Sequence, residues 1–260
     1  MIKINFPTKI GTDEDGYIMK FASIHNINSE YKLLIEQLIE ILKYNIGDNL
    51  HSIYVYGSVG RGEGVLGKSD IDLCVVINKP LNEIKLNNLR KDREGFLDKN
   101  KNVPKVDFDI GVISDVLNLE NVYYWGFWIK HICDCLYGKD LSSKFPKMKP
   151  NINKCKSVNE DTIETFLDYI ELVVKDNLDD YIFKSILKRI IRGAYCLVSV
   201  EDKSWAISVE DILSILHHYL PEESKLEEIR LIFKDKKEIS SKIILDIIEY
   251  FILWFKQNKN

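Results

Sequence analysis

Tyr56-Gly57-Ser58-Val59-Gly60-Arg61-Gly62 is followed, after a gap of five residues, by Lys68-Ser69-Asp70-Ile71-Asp72-Leu73. Around this stretch the pattern organises itself. Ile53-Tyr54-Val55-Tyr56 reads as a strand that runs into the Gly-rich turn Gly57–Gly67. Ile71–Ile77 is a second strand, ended by Asn78-Lys79-Pro80. Residues 81–98 read as a helix, and Val106–Ile113, after Pro104, as a third strand. Upstream, Leu33, Leu34, Ile35, Leu38, Ile39, Ile41 and Leu42 recur at helical spacing between Glu30 and Tyr44, with Gly47 as a stop. A strand pair followed by a helix and another strand predicts an α/β (α+β) domain around a small mixed sheet.

The turn and the second strand carry chemistry. Gly57 lets backbone amides approach a phosphate, and Ser58 adds a hydroxyl donor. Asp70 and Asp72 are two apart on a strand, so both carboxylates face the same side. Side by side they repel unless a cation lies between them. Mg2+ takes oxygen ligands and shares them with substrate phosphates, so the expectation is metal-assisted nucleotidyl transfer. On the third strand Asp107 and Asp109 also share a face. Either could supply a third carboxylate, bind a second metal and accept the proton of an attacking hydroxyl. An Asp-x-Asp alone is weak evidence, since most are solvated. Here it lies among apolar residues, at a fixed distance from a Gly-Ser turn. No Gly-x-x-x-x-Gly-Lys-Ser/Thr loop is present.

Beyond residue 120 the character changes. Tyr123, Tyr124, Trp125, Phe127 and Trp128 form an aromatic cluster expected to pack as core. Pro146 and Pro150 bracket a Lys-rich stretch that reads as a linker. After it come helical patterns at about 160–176, 180–199, 208–219, 223–234 and 239–256, with Ser208 and Asp211 resembling a capping box. The predicted division is a catalytic domain over 1–150 and an all-α helical bundle, binding substrate, over 151–260. Residues 1–28 show no readable pattern.

Composition sets bounds. The 260 residues are 45% hydrophobic and 29% charged, the make-up of a globular chain. No apolar run reaches the ~18 residues of a membrane span. No signal peptide is visible, so a cytoplasmic location is expected, with the five Cys as buried thiols. His131 and the pair His217-His218 lack metal-ligand spacing and read as structural. The net charge is −4. Residues 1–150 hold 20 basic and 20 acidic residues, and the remainder 16 and 20, so the deficit lies in the helical part. Lacking a basic excess, the chain is a poor match for a long polyanionic partner.

Gly57-Ser58, Arg61-Gly62 and Ser69-Asp70-Ile71-Asp72-Leu73 together resemble the signature of the nucleotidyltransferase superfamily that includes DNA polymerase β. Within it the plan resembles the bacterial aminoglycoside nucleotidyltransferases. Leu187–Tyr195 and Ser208-Val209-Glu210-Asp211 are similar to the C-terminal region of the streptomycin/spectinomycin adenylyltransferases. The resemblance implies ATP, two Mg2+ ions and transfer of AMP to a hydroxyl, with release of pyrophosphate. Those enzymes often carry Glu as the third carboxylate, where this chain has Asp. In the superfamily that residue tends to lie about five positions before the polar end of its strand. Asp109 lies five before Ser114 and Asp107 seven, which favours Asp109.

Arg61, Lys68, Lys139, Arg189 and Arg192 are candidate phosphate contacts, because Arg and Lys neutralise the charge of a transferring phosphoryl group. Tyr195, one turn beyond Arg192, either stacks on a base or packs as core. Between 161 and 180 stand seven acids against one Lys. Asp161, Glu164, Asp168 and Glu171 recur at helical spacing opposite Ile163, Phe166, Leu167, Ile170 and Val174, with Asp176, Asp179 and Asp180 following. This is either a solvated face or the wall of a cleft whose negative potential, through Glu164 and Asp168, concentrates a cationic acceptor. The expected reaction is adenylyl transfer to a small hydroxylated, cationic acceptor of the aminoglycoside antibiotic type. The rival readings are a protein or RNA acceptor, as in toxin–antitoxin nucleotidyltransferases, and a non-catalytic nucleotide-binding module. Oligomeric state is left open.

Overall fold

The computed structural model describes residues 5–175 and 178–258. The chain divides into two compact units. One is Met19–Met148, and the other joins the segment up to Ile18 with everything from Lys149 onward. The sequence reading places a boundary near 150, and the units part between Met148 and Lys149. Residues 5–18, placed by the sequence reading in the catalytic domain, group with the helices.

The unit Met19–Met148 is built on a sheet with the order β3-β2-β1-β4. The strands are β1 (Leu50–Tyr56), β2 (Ile71–Ile77), β3 (Val106–Val112) and β4 (Asp134–Gly138). Strand β1 pairs antiparallel with both β2 and β4, whereas β2 and β3 are parallel. A parallel pair needs a crossover, and the helix between residues 83 and 99 supplies it. On one face Ile53, Val55, Ile71, Leu73, Val75 and Val106 are buried against Leu34, Leu38 and Leu42 of α1 (Ser29–Ile46). In chain order the next helices are the single turn α2 (Gly57–Gly60) and the crossover α3 (Glu83–Lys99), whose Leu89 and Phe96 join the same core. On the other face Tyr54, Cys74 and Val76 pack with Val116 of α4 (Ile113–Val116), Ile129, Cys133 and Phe145.

The aromatic cluster is only partly core. Phe127 is buried, and Trp125 and Trp128 pack at the margin of the second face, but Tyr124 is exposed. The backbone there forms two single π-helical turns, Val122–Gly126 and Trp128–Ile132. Strand β4 follows them and was not anticipated, because Asp134-Cys135-Leu136-Tyr137-Gly138 has little β-branched character.

The second unit contains α5 (Ile152–Asn159), α6 (Thr162–Lys175), α7 (Asp180–Ser199), α8 (Val209–Tyr219), α9 (Ser224–Phe233) and α10 (Ser241–Asn258). Helix α5 lacks an apolar stripe and was not expected. Its Asn151 cap accepts the Lys154 amide at 3.0 Å. In α7 Phe183, Ile186, Leu187, Ile190, Ile191 and Ala194 are all buried at helical spacing. They meet Ile244, Ile247, Ile248 and Phe251 of α10 in one core. Ser208 caps α8 by accepting the Asp211 amide at 3.1 Å. The Asp211 carboxylate takes the Ser208 hydroxyl at 2.6 Å, where a longer Glu would reach the backbone amide.

The N-terminal segment is held to this unit by polar contacts. Fully buried Asp202 accepts the Thr8 amide at 2.8 Å, the Thr8 hydroxyl and the Tyr219 hydroxyl. The Trp205 amide donates to the Ile10 carbonyl at 2.7 Å, and Phe6 stacks on His218 at 3.5 Å between ring centroids. His131, in the sheet unit, is buried and its Nε2 accepts the Met148 amide at 3.0 Å. Both histidines therefore serve packing. The five cysteines are free thiols, and all but Cys135 are buried. No helix among the described residues is long and apolar enough to cross a membrane.

Candidate active site

The site lies where β1 and β2 meet the Gly57 turn. Tyr56, the last residue of β1, pairs with Asp72, so the turn begins beside the second aspartate of the Asp-x-Asp pair. Gly57 has φ +70°, and a Cβ there would fall 1.9 Å from Asp72 Oδ2. Only glycine allows this approach of backbone to carboxylate. The turn is closed by α2 and by the Glu63 amide donating to the Ser58 carbonyl at 2.9 Å. At Gly62, φ +80° brings the chain against the Asn26 carbonyl, with no room for a side chain.

The parallel pairing of β2 and β3 sets Asp72 level with Asp107, and Cys74 level with Asp109. Neighbours level in a parallel pair point to the same face. Asp107 is therefore the third-strand carboxylate beside Asp72. Asp109 lies one side-chain step further, and there it accepts the Tyr56 hydroxyl. Asp109, favoured by its spacing to Ser114, thus stands level with Cys74, and Asp107 is the one level with Asp72.

Electrostatics follow from this crowding. Burial, then Asp107, Asp70 and Asp109, push the Asp72 carboxyl up to about 6, and Lys105 acts in the opposite direction. Lys105 Nζ lies 2.8 Å from Asp107 Oδ2. That hydrogen bond, with smaller contributions from Asp70 and Asp72, raises the Lys105 ammonium above its ordinary value. Burial and the adjacent Asp109 carboxylate raise the Tyr56 phenol strongly. Sequence reasoning missed both Lys105 and Tyr56. The signal for Lys105 was its place two residues before Asp107, and for Tyr56 its position next to Gly57.

The other predicted contacts disperse. Arg61, beside the turn, is engaged by Glu63 at 2.7 Å, and Lys68 is exposed. Lys139 follows the end of β4 that pairs with Ser52 of β1. Four residues of strand, about 13 Å, separate Ser52 from Tyr56, so the sheet does not bring Lys139 to the carboxylates. In the helical unit Arg189 is bound to the Val158 carbonyl at 2.9 Å and to Asp161 at 2.8 Å, which makes it a brace between helices. Tyr195 is buried, and its hydroxyl bonds Ser204 and the Ala206 amide, both at 2.7 Å. It is core, and stacking on a base would require its removal from there. Arg192 is exposed on α7. Glu164 and Asp168 are exposed on α6. Leu167 and Val174, expected on its apolar side, are exposed as well, and Phe166 and Val173 carry the packing. Asp176 lies outside the described residues.

The carboxylates are hard oxygen donors of the kind Mg2+ takes, and the Asp72 carboxyl is raised first by burial and then by the neighbouring Asp107, Asp70 and Asp109 carboxylates, whose repulsion a cation would relieve. The residues fit the ion in kind. Among the described residues, however, no three such side chains converge on one point; Asp107 is bonded to Lys105 and Asp109 to Tyr56.

Comparison with known proteins agrees with this geometry. None of the curated protein sequences matches the chain. Among solved structures, the spectinomycin adenyltransferase AAD(9) of Enterococcus faecialis, crystallised with ATP and spectinomycin, is similar in fold, with a TM-score of 0.57 and 16% identity. The match covers 86% of this chain and 98% of that one. The family model of the nucleotidyltransferase domain matches residues 35–192. That span is more than half of the chain and takes in the Gly-Ser turn, Asp70, Asp72 and Asp107, and the protein therefore belongs to the nucleotidyltransferase domain family, as an enzyme of nucleotidyl transfer.

Proposed function

We propose that the protein is an Mg2+-dependent adenylyltransferase that moves AMP from ATP to a hydroxyl of a small cationic acceptor of the aminoglycoside type and releases pyrophosphate. The observation that carries this reading is the placement of Asp72 between the Gly57 turn and Asp107. A phosphate-binding turn, an adjacent carboxylate pair and a third carboxylate level with it form the donor set that this chemistry requires. The likeness to an adenyltransferase crystallised with ATP and spectinomycin supports the choice of nucleotide and of acceptor class.

Asp70, Asp72 and Asp107 hold two Mg2+ ions in this reading; when bound, they neutralise the triphosphate and the charge that develops on it. The chain's own groups do the rest. The Gly57 and Ser58 amides and the Ser58 hydroxyl receive phosphate oxygens, with Arg61 and Lys68, on and just after the same turn, as further cations for the triphosphate. The acceptor hydroxyl attacks the α-phosphorus, the bond to the pyrophosphate oxygen breaks, and the hydroxyl proton passes to the Asp107 carboxylate. Asp109 acts at one remove, fixing the Tyr56 ring that flanks Asp72. On the helical unit the exposed carboxylates of Glu164 and Asp168 attract the cationic acceptor.

The test is incubation with α-phosphate-labelled ATP, Mg2+ and a panel holding spectinomycin, other aminoglycoside-type antibiotics, proteins and RNA. Label on a small cationic acceptor is the expected result. Label confined to protein or RNA refutes the acceptor class, and pyrophosphate release with no labelled product refutes the transfer.

A further inference from the structure

We propose that Lys105 is the resident counter-ion of the carboxylate cluster: its ammonium holds Asp107 while no divalent ion is bound, and it competes with the metal for that carboxylate. The inference rests on the metal reading above. Three observations carry it. Lys105 Nζ lies 2.8 Å from Asp107 Oδ2, so the ammonium pairs directly with the third-strand carboxylate that stands level with Asp72. The Lys105 carbonyl accepts the Ile71 amide at 3.0 Å, which ties its backbone to the stretch that carries Asp70 and Asp72. Its side chain is more than half exposed on a flexible four-carbon stem, so the ammonium can leave while the backbone stays.

Asp107 faces Asp72 across the parallel pair. With no cation between them, the cluster repels itself. A lysine head offers one positive charge and is free to withdraw into water. A divalent ion offers twice the charge and is bound by several oxygens at once, so it prevails, but only after displacing the ammonium. The cost of displacement appears as a lower metal affinity. The gain is a folded site before metal arrives. Because the ammonium is largely in solvent, both effects are modest and screened by salt.

The experiment is calorimetric titration of Mn2+ into wild type, Lys105→Met and Lys105→Arg, without nucleotide, at low and at high ionic strength, with melting temperatures measured in EDTA. Lys105→Met keeps the stem and loses the charge. It is expected to bind Mn2+ roughly five-fold more tightly at low salt, the gap closing at high salt as screening sets in, and to melt at a lower temperature in EDTA. Lys105→Arg keeps the charge and should bind as wild type does. Lys105→Gln serves if the Met variant does not fold. Equal or weaker Mn2+ affinity in the charge-free variants overturns the counter-ion role while leaving the metal reading intact. Failure of wild type and variants alike to bind Mn2+ overturns the metal reading, and this inference with it.

Discussion

Asp72 and Asp107 stand level with one another across the parallel strands β2 and β3, and Gly57 packs its Cα against the Asp72 carboxylate from the other side. Most of what the site can do follows from this contact. A carboxylate held between a backbone turn and another carboxylate is crowded, partly desolvated and costly to ionise.

The first consequence is a pH dependence of stability in the metal-free protein. The folded Asp72 value, about 6, lies above the ordinary 3.8. Its contribution to stability is thus fully present below the ordinary value and is lost as pH rises through about 6. Asp72→Asn should remove that dependence. Urea unfolding in EDTA at pH 4 and pH 7 should show wild type losing stability relative to the variant by about 2 kcal/mol, a figure discounted for partial exposure. The same variant should have no transfer activity. Near-wild-type turnover would exclude Asp72 as a metal ligand.

On the third strand, Asp107→Asn is expected to lower kcat by a factor on the order of 100 or more, the scale of a lost general base. Asp109→Asn should cost about ten-fold or less, since it loses only the anchor of Tyr56. Steady-state rates of the two variants decide between them, and a larger loss at Asp109 would show that spacing to the strand end outranks register.

Gly57→Ala introduces two faults at once. The backbone at φ +70° becomes strained by about 1–2 kcal/mol, and the new methyl displaces the Asp72 carboxylate. Misplacing a catalytic group by about 1 Å costs on the order of 100-fold in rate. The variant should remain folded by circular dichroism while losing that much activity. Full activity would mean that the turn can relax away from Asp72.

For the acceptor, neutralising Glu164 and Asp168 together to Gln and Asn should raise the acceptor KM at low salt and leave the ATP KM unchanged. An interaction present equally in ground and transition states changes KM and spares kcat. If the acceptor KM is unchanged at low salt, α6 plays no part in drawing the acceptor.

Tyr195→Phe distinguishes core from nucleotide contact. Loss of the hydroxyl leaves Ser204 and the Ala206 amide without that partner, at a cost of about 1–2 kcal/mol in unfolding free energy. The ATP KM should stay at the wild-type value. A raised ATP KM with unchanged stability would return Tyr195 to the nucleotide site.

What the sequence determined by itself is local. Alternation within β1 and β2, the Gly-rich interruption between them and the two-residue spacing of Asp70 and Asp72 depend on neighbours in the chain, and strand periodicity alone places both carboxylates on one face. The apolar stripes of α7, α8 and α10 are equally local, and their helices appeared where periodicity located them. Tertiary structure decided what depends on partners distant in sequence. Parity puts Asp107 and Asp109 on the same face but says nothing about which of them meets Asp72. That is set by the register between β2 and β3, a pairing of strands more than thirty residues apart in the chain. The partners of Lys105, Arg189 and Tyr195 were likewise hidden, because a long side chain acquires a role only when the fold brings a carboxylate, a carbonyl or a hydroxyl within reach. Residues 5–18 show the same limit: with no periodicity of their own, they are placed by buried Asp202, nearly two hundred positions away, because a desolvated carboxylate needs donors and the Thr8 amide and hydroxyl supply them.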